Sequence, residues 1–430
     1  MKDPYTLKST ILECSPAEPS GPAPVLSLRV LRTLPELESL RDVWTSWKGH
    51  RDSDIDFFVE FVRTRPEVIR PHVIVLYRDG TPEAMLIGRL ERAQLTFRIG
   101  YLRLLGISAR ILSFSQGGAR GNVSEANSAE FVNSVTASLR GGEADLAFLH
   151  QVDAASPLFK NAHTAVGFAI RDHVTVPEPR WAMKLPGTVE DLYQGFSKRV
   201  RKEFRAKKAN LFRKFEGRIR TECIQTSAEL DRIIPHIEAV AKKTYQRGLG
   251  VGFADTPQIR RRLHLFAEKG WLRAYILYLD DKLCAFDIGT VHDGVFAGEF
   301  TGYDPLFRDY SVGSFIMITM IEDLCRQGVK EAEFGAGQAE YKRNFSNCQT
   351  MEASIHIFAP TIKGVMLNTL RTVTGLIDKT LKATLERTQL LPRVKKLWRR
   401  HAAQNAQLSS GSSETEANRL AARSFDKPNE

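Results

Sequence analysis

Cysteine is scarce in this sequence, and its few copies do not cluster. The five cysteines lie far apart, and no Cys-x-x-Cys pair occurs among them. This excludes a small disulfide-stapled scaffold and is typical of reduced thiols in an intracellular protein. Cys and His never fall together at ligand spacing, so we expect neither a zinc site nor any other metal.

Long apolar runs are also missing. No stretch approaches the ~18 consecutive apolar residues of a membrane-spanning helix. Residues 1–24 lack the apolar segment of a secretory signal and are rich in Pro, Ser and Gly, so we expect a disordered lead-in. The sequence therefore predicts a cytoplasmic protein that reaches a membrane only peripherally, on the inner face of the cytoplasmic membrane.

Acidic residues are too few to balance the basic ones. The 430 residues, enough for two or three domains, include 61 Lys and Arg against 50 Asp and Glu, a net charge of +11. Segments 198–214 and 359–402 each carry +8, which leaves −5 on the remainder. This distribution suggests anionic partners met by two local surfaces. Nucleic acid is the less favoured partner, because Phe204 and Phe212 alone offer stacking surfaces in the first segment.

The same order of elements occurs twice along the chain. In each half, the apolar periodicity and the turn residues predict a helix, antiparallel strands joined by tight turns, a second helix and a final strand. We interpret this as a tandem duplication of one α/β unit with a boundary near Pro177 and Pro179. The predicted elements are 53–65, 72–77, 83–90, 128–140 and 144–152 in the first half, and 256–270, 272–279, 282–291, 295–303, 314–328 and 330–337 in the second.

Residues 359–402 form a segment that has no counterpart in the first half. Apolar residues recur every three to four positions from Ile362 to Leu385, with Lys and Arg on the other faces. This pattern predicts a basic amphipathic helix, which either meets an anionic membrane surface or docks across the two halves. Residues 403–430 are rich in Ser, Ala, Asn and Glu, which is typical of a disordered tail.

The segment from 295 to 328 has the strand–loop–helix order of an anion site. A helix is predicted to begin near Ser314, whose hydroxyl would cap it. The remaining free N–H groups and the positive end of the helix dipole attract a phosphate. Gly313 allows close approach of the backbone, and the guanidinium of Arg308 can grip a phosphate with two N–H groups.

Two motifs carry a resemblance to a known family. The loop Arg308-Asp309-Tyr310-Ser311-Val312-Gly313-Ser314 resembles the pyrophosphate-binding motif Arg/Gln-x-x-Gly-x-Gly/Ala of the GNAT acyl-CoA transferases, with Ser311 in place of the first glycine. The string Glu333-Phe334-Gly335-Ala336-Gly337-x-x-Glu340-Tyr341-Lys342-x-x-Phe345 is similar to the D-x-G-x-G-x-x-x-Y-K-x-x-F ending of the cellulose-biosynthesis-type acetyltransferases. That GNAT branch is related to the two-domain Fem aminoacyltransferases, and Glu333 stands where the branch usually has Asp.

The resemblance implies a fold class and a domain division. The expected fold is α/β, with tandem GNAT-like domains, each a mixed, mostly antiparallel sheet flanked by helices, followed by the basic amphipathic helix. The division would place a degenerate GNAT-like domain at 25–178 and the catalytic domain at 179–358. A helical extension would follow at 359–402.

The resemblance also implies a reaction and a set of site residues. Acyl-CoA would be the co-substrate, and an amine would attack its thioester directly. Glu299 is the predicted base, and Tyr341, or less favourably Tyr303, would protonate the leaving thiolate. The other predicted site residues are Arg308, Ser311, Val312, Gly313, Ser314 and Lys342 for the cofactor, and Asp287, Glu333 and Glu340 for the substrate.

Several functional interpretations remain open at this stage. If segment 359–400 meets a membrane, the acceptor would be an amine of a cell-envelope lipid or polysaccharide precursor, such as a sphingoid-type lipid amine or an amino sugar. A non-catalytic accessory protein that binds CoA or a glycan is one alternative. A Fem-type transferase that uses aminoacyl-tRNA is another, and it predicts RNA binding with a steep salt dependence. Segment 198–214 is either a solvated helix face or a rim that attracts anionic ligands.

Overall fold

A single mixed sheet of thirteen strands runs through both halves of the protein. The computed structural model describes residues 25–100, 102–164, 166–244, 247, 252–336, 342 and 345–387. The strands are β1 (Leu26–Leu31), β2 (Val68–Pro71), β3 (Val73–Arg78), β4 (Thr81–Ile99), β5 (Leu102–Gly121), β6 (Leu146–Asp153), β7 (Glu178–Lys184), β8 (Ile219–Ile224), β9 (Leu272–Leu279), β10 (Lys282–His292), β11 (Val295–Tyr303), β12 (Glu331–Ala336) and β13 (Cys348–Phe358).

Helices cover both faces of this sheet. They are α1 (Leu34–Glu38), α2 (Arg41–Ser46), α3 (Ile55–Thr64), α4 (Glu125–Arg140), α5 (Pro157–Thr164), α6 (Val189–Gly195), α7 (Lys198–Lys214), α8 (Ser227–Ala241), α9 (Pro257–Glu268), α10 (Val312–Arg326) and α11 (Ile362–Arg387). Short 3₁₀ helices occupy Arg51–Ser53 and Pro305–Tyr310.

The predicted duplication is visible in the strand order. In the first half β1, β3, β4 and β5 pair antiparallel in that order, and β6 then adds parallel to β5. In the second half β8, β9, β10 and β11 pair antiparallel, and β12 adds parallel to β11. Both halves therefore have the same topology, and the predicted tandem GNAT-like fold class is confirmed.

Strands β13 and β7 join the two halves at the centre of the sheet. Strand β13, at the end of the second half, pairs with β6 of the first half. Strand β7 pairs with β12 on one side and with β13 on the other. The resulting order is β1-β3-β4-β5-β6-β13-β7-β12-β11-β10-β9-β8, with β2 beside β4. The division at 178/179 stays a prediction, and β7 begins at that point.

Amphipathic helices close the core of each half. Helix α4 buries Phe131, Val135 and Leu139 at helical spacing against β3, β5 and β6. Helix α10 buries Phe315, Ile316 and further residues in the corresponding place against β9 and β10. Helices α8 and α9 cover the opposite face of the second half. These helices fix the strands that position the candidate site.

The long hairpin of β4 and β5 is an element that the sequence analysis missed. Its strands have 19 and 20 residues and turn at Gly100, which has a φ of +57°. Helix α11 lies against β4 and β13. Within the described residues, no helix is both long and apolar enough to cross a bilayer. The predicted tail at 403–430, the lead-in at 1–24 and the part of the extension beyond 387 lie outside the described residues.

Candidate functional site

Strands β11 and β12 form a fork in the second half. They pair in parallel over three rungs, from Val295–Glu331 to Ala297–Glu333. Beyond this point β11 continues to Tyr303 beside β10, while β12 continues beside β7. Because no further rung joins the two strands in the described residues, their facing edges offer backbone groups to a ligand.

The loop after β11 has the backbone conformation that the glycine motif requires. Ser311 has a φ of 54° and a ψ of 37°, which is the left-handed region that favours glycine. This is the residue that stands in place of the first glycine of the motif. The loop therefore keeps the turn of the motif although its sequence departs from it.

Helix α10 begins two residues earlier than predicted. Its first residue is Val312, so Ser314 lies in the first turn and Ser311 is the N-cap residue. The side chain of Ser311 makes no capping hydrogen bond. In the first half, by contrast, the Ser124 hydroxyl accepts a hydrogen bond from the Asn127 N–H and closes the start of α4. The start of α10 thus keeps backbone donors for an anion that the start of α4 does not.

The surroundings of this loop leave room beside the backbone. A Cβ atom on Gly313 would approach Tyr303 Cδ1 at 3.4 Å, an ordinary contact distance. Packing within the protein therefore does not demand a glycine here, whereas close approach by a ligand would. Arg308 is exposed on the 3₁₀ helix, and Val312 is buried beneath the loop.

The basic helix α7 lies beside the same loop. Phe215, at its C-terminal end, packs edge-on against Tyr310 with ring centroids 5.0 Å apart. The rings of Phe212 and of Phe315 on α10 also pack against each other, with centroids 6.1 Å apart. Helix α7 buries Val200, Phe204 and Leu211 and leaves most of its Lys and Arg side chains exposed. The positive charge of segment 198–214 therefore adjoins the candidate phosphate site.

Glu299 is held by two arginines. It lies at a bulge, where Ile288 pairs with Phe300 and Gly289 pairs with Gly298. The carboxylate forms an ion pair with Arg51 from the first half and with Arg262 of α9, whose Nη2 lies 3.0 Å from Oε2. Burial by itself lowers the pKa of Arg51, but the neighbouring carboxylates outweigh it and the pKa is raised. Two cationic side chains thus hold the Glu299 carboxylate in place.

Asp287 has a different environment on the neighbouring strand. It stands opposite Tyr275 on β9 and Thr301 on β11. Cross-strand neighbours share a face, and Tyr275 belongs to the apolar cluster under α10, so Asp287 points to that side of the sheet. Burial raises the pKa of Asp287 to about 7, although a hydrogen bond with Thr301 acts in the opposite direction.

Glu333 lies at the branch point of the fork and turns toward the first half. It forms an ion pair with Arg180 of β7, and Arg180 Nη1 also lies 3.2 Å from a carboxylate oxygen of Glu352 on β13. Burial raises the pKa of Glu352, and the charge of Arg180 opposes that shift. Strands β7, β12 and β13 thus meet in a buried cluster of charged side chains.

A cavity of about 330 Å³ extends from this cluster into the first half. It occupies the fork between β5 and β6, which pair over Ile111–Phe114 and Leu146–Leu149 and then separate. Burial lowers the pKa of both cavity histidines, that of His150 to about 3, so both are neutral near pH 7. The polar side chains of its lining include His50, Gln116, His150, Gln151, Glu333 and Glu352.

The remaining predicted site residues are placed as follows. Tyr303 lies at the end of β11 beside Gly313 and is partly buried. Lys342 is buried. Tyr341 and Glu340 lie outside the described residues. In the part of the chain that the structure describes, no group of three or more His, Cys, Asp or Glu is arranged to hold a metal ion.

Sequence reasoning missed the arginines that organise the site. Arg51 and Glu299 are 248 positions apart, and Arg180 and Glu333 are 153 apart. The only signal available was chemical: a carboxylate in an apolar strand requires a cationic partner. That requirement does not identify which of many arginines supplies it.

Comparison with known proteins identifies a family match in the second half of the chain. Residues 198–343 match the family model described as Acetyltransferase (GNAT) domain. None of the curated proteins matches the sequence of this chain. The matched range contains the fork, the loop and helix α10. The chain thus has a tandem GNAT-like fold, as the sequence resemblance indicated, and its second half carries the fold of a GNAT-type acyltransferase.

Several solved structures have a similar chain trace at low identity. FemX is 9% identical, with 75% of this chain and 95% of that chain covered and a TM-score of 0.48. The C-terminal domain of a protein from Agrobacterium fabrum, provisionally named lysylphosphatidylglycerol synthetase, is 12% identical, with 79% and 96% covered and a TM-score of 0.46. A tandem GNAT protein from the clavulanic acid biosynthesis pathway is 12% identical, with 78% and 99% covered and a TM-score of 0.42.

Proposed function

We propose that this protein is an acyl-CoA-dependent N-acyltransferase that acts on an amine of a cell-envelope lipid or polysaccharide precursor. The observation that supports this most directly is the start of α10. A left-handed Ser311, a glycine that packing does not require and an uncapped first turn follow the forked strand β11. These features suit a pyrophosphate held by backbone N–H groups.

The proposed reaction is a direct transfer. The amine nitrogen bonds to the thioester carbonyl carbon, the carbon–sulfur bond breaks, the amine loses a proton and the departing thiolate gains one. Backbone N–H groups along the open edge of β11 would stabilise the negative charge that develops on the carbonyl oxygen. Tyr303 lies beside Gly313 and is a proposed donor to the thiolate, the role that the sequence assigns first to Tyr341.

The two carboxyl groups around β11 suit different roles. Pairs of acidic groups whose environments push their pKa values apart commonly divide acid–base work in an active site. Asp287 has a pKa of about 7, in the range of an efficient proton carrier. Glu299 is engaged in ion pairs with two arginines. We therefore propose that Asp287 accepts the proton and that Glu299 positions Arg51 and Arg262. The assignment of Glu299 as the base stays a prediction, and the variants Glu299→Gln and Asp287→Asn test it.

The cavity between the halves is the proposed acceptor site. It reaches Glu333, which pairs with Ala297 at the branch point of the fork. An acceptor in this cavity would approach the thioester from the first half. Apolar surface from Phe114, Leu149 and Leu158 suits an alkyl or isoprenoid chain, while the Glu333 end suits a polar amine.

The proposed place of action is the inner surface of the cytoplasmic membrane. The supporting features are the basic segments 198–214 and 359–402 and the apolar periodicity of α11. A lipid-linked amine would be met at that surface.

Thiol release from a panel of acyl-CoAs tests the proposal. The panel runs from short to long chains, with amino-sugar and sphingoid-amine acceptors. The expected result is thiol release that depends on both substrates and yields an N-acylated product. Binding of acyl-CoA without turnover would support the accessory-protein alternative. Transfer from aminoacyl-tRNA in place of acyl-CoA, weakened steeply by salt, would support the Fem-type alternative.

A further inference from the structure

Helix α11 exposes a face on which apolar side chains predominate. We define the outer face of α11 as Ile362, Val365, Met366, Val373, Leu376 and Ile377, whose exposed fractions lie between 42% and 92%. At 100° per residue these side chains share roughly one third of the helix circumference. A helix that only closed the core of the protein would turn such a face inward.

Three charged side chains of α11, those of Lys363, Arg371 and Asp378, lie on the other side of the helix. Lys363 pairs with Asp145 at 2.8 Å, and Arg371 pairs with Asp172 at 3.2 Å. The Asp378 carboxylate accepts a hydrogen bond from the Gly100 N–H at 2.8 Å and pairs with Lys382 at 2.7 Å. The helix thus docks on the first half through its polar side, together with the fully buried Leu367, and presents its apolar side outward.

The threonine hydroxyl groups on the outer side of α11 already have hydrogen-bond acceptors within the helix. The hydroxyls of Thr369, Thr380 and Thr384 donate to the carbonyls of Val365, Leu376 and Thr380, four residues earlier in the helix. Each of these hydroxyl groups is therefore satisfied without water. This suits an apolar medium, in which an unpaired polar group is costly.

The sequence that follows α11 favours one occupant for this face. Residues 388–400 contain five basic residues, no acidic residue, and Leu390, Leu391 and Trp398 among the apolar ones. An anionic bilayer matches both the apolar face and this positive charge, and tryptophan favours the lipid interface. A second copy of the chain would bring the same positive segment.

We propose that the outer face of α11 lies in the interface of an anionic lipid bilayer. The tip of the β4–β5 hairpin contacts α11 at Asp378 and exposes Leu104 and Leu105 on the same element, which adds apolar surface nearby. The inference rests on the membrane location proposed above and specifies the surface that makes it. It does not depend on the identity of the acyl donor.

Vesicle flotation of the full chain tests this proposal. The probes are vesicles of phosphatidylcholine alone and vesicles with about 30% phosphatidylglycerol. The variants are Leu376→Glu and Ile377→Glu on the outer face. Ile69→Glu on β2 is the matched control, because Ile69 is 50% exposed and Ile377 is 43% exposed. Met366→Glu is a further variant if either of the first two fails to fold.

The expected result is binding of the wild-type chain to the anionic vesicles, reduced at least tenfold by each outer-face variant and unchanged by Ile69→Glu. Unchanged thermal stability would show that these variants fold. Unchanged thiol release with a soluble amine would show that the transferase reaction does not depend on membrane binding. Three results would overturn the proposal: no vesicle binding by the wild type, equal binding by all variants, or a dimer that Ile377→Glu dissociates. A loss of thermal stability in Ile377→Glu, together with no vesicle binding by the wild type, would show that another part of the same chain packs against the outer face of α11.

Discussion

Arg51 of the first half forms a buried ion pair with Glu299 of the second, across 248 positions of sequence. The same guanidinium donates to the Thr290 hydroxyl at 2.6 Å and lies over the ring of Phe266, 5.5 Å from its centroid. Neighbouring contacts join the halves at this place, since Lys269 pairs with Asp54 and Asp56 and Phe57 stacks on Phe266. The pair therefore links the junction of the halves to the strand that borders the proposed thioester site.

Breaking the Arg51–Glu299 pair should destabilise the protein. We expect Arg51→Met to lower the free energy of unfolding by about 3 kcal/mol, since one buried charge loses a partner. Glu299→Gln should cost a similar amount, and the double variant should cost less than the sum of the two. Arg218→Met is the control, because its partner Asp280 is 41% exposed and such pairs contribute below about 1 kcal/mol. Urea titrations measure all four variants.

The same variants decide the role of Glu299 in catalysis. A positioning role predicts that kcat falls less than tenfold in both Arg51→Met and Glu299→Gln, with similar changes in the two. A base role predicts a fall of about 10²–10⁴ in Glu299→Gln alone. The second outcome, with the protein still folded, would restore Glu299 as the base.

Asp287→Asn should make the protein more stable at high pH and less active. The pKa of Asp287 is about 7 in the folded protein, against an ordinary value of 3.8 for an aspartate. The folded state therefore keeps a proton that the unfolded state releases between these pH values. The contribution of Asp287 to stability is fully present below about pH 4 and is lost by about pH 7, at up to ~1.4 kcal/mol per pH unit. Thermal melts at pH 5 and pH 8 should show the gain of Asp287→Asn mainly at pH 8.

The activity of Asp287→Asn tests its proton-carrying role. In the wild type, kcat should rise with pH through about 7 as the carboxyl ionises. The variant should lose that limb of the profile and fall by about 10²-fold or more. An unchanged pH profile in a stabilised variant would leave Asp287 a buried structural carboxyl.

The loop before α10 should respond to substitution in two opposite ways. Ser311→Gly should raise stability slightly, because glycine adopts a φ of 54° without the cost of roughly 1 kcal/mol that a side chain brings. Gly313→Ala, in the first turn of α10, should not lower thermal stability, since its Cβ meets Tyr303 at an ordinary distance and alanine favours a helix, but should raise the KM for acyl-CoA several-fold. Gly187→Ala, at a position with open space around it, is the control. If the KM for acyl-CoA were the same in Ser311→Gly, Gly313→Ala and Gly187→Ala, the result would contradict binding of a phosphate at this loop.

Filling the cavity between the halves should affect the acceptor alone. Ala119 lines this cavity, so Ala119→Leu should raise the KM for the amine at least tenfold and leave the KM for acyl-CoA unchanged. Ala129→Leu is the matched control, because Ala129 lines a separate cavity of about 230 Å³ beside α4. A rise in the KM for acyl-CoA instead would place the donor, and not the acceptor, in the first half.

The sequence predicted those parts of the fold whose signals are local. Strands β9 and β11 have the bounds predicted for them, because apolar runs alternate there with turns. Asp280, Asp281, Asp293 and Gly294 all have positive φ at those turns. The loop at Ser311 was also found locally, although the helix begins at Val312 and not at Ser314.

The remaining features depend on distant parts of the chain. The pairing of β13 with β6 joins residues about 200 positions apart, and no local pattern distinguishes it from pairing within the second half. The β4–β5 hairpin was missed because charged residues such as Arg92 and Arg103 interrupt its apolar pattern. The arginine partners of Glu299 and Glu333 are set by the same long-range packing.

The most direct test of the central claim is acyl-CoA-dependent thiol release with an amine acceptor, measured for the wild-type chain and for Gly313→Ala. The account predicts release that requires the acceptor, forms an N-acyl product and weakens in the variant through the KM for acyl-CoA. An absence of release with every acyl-CoA and amine, from a folded protein, would contradict it.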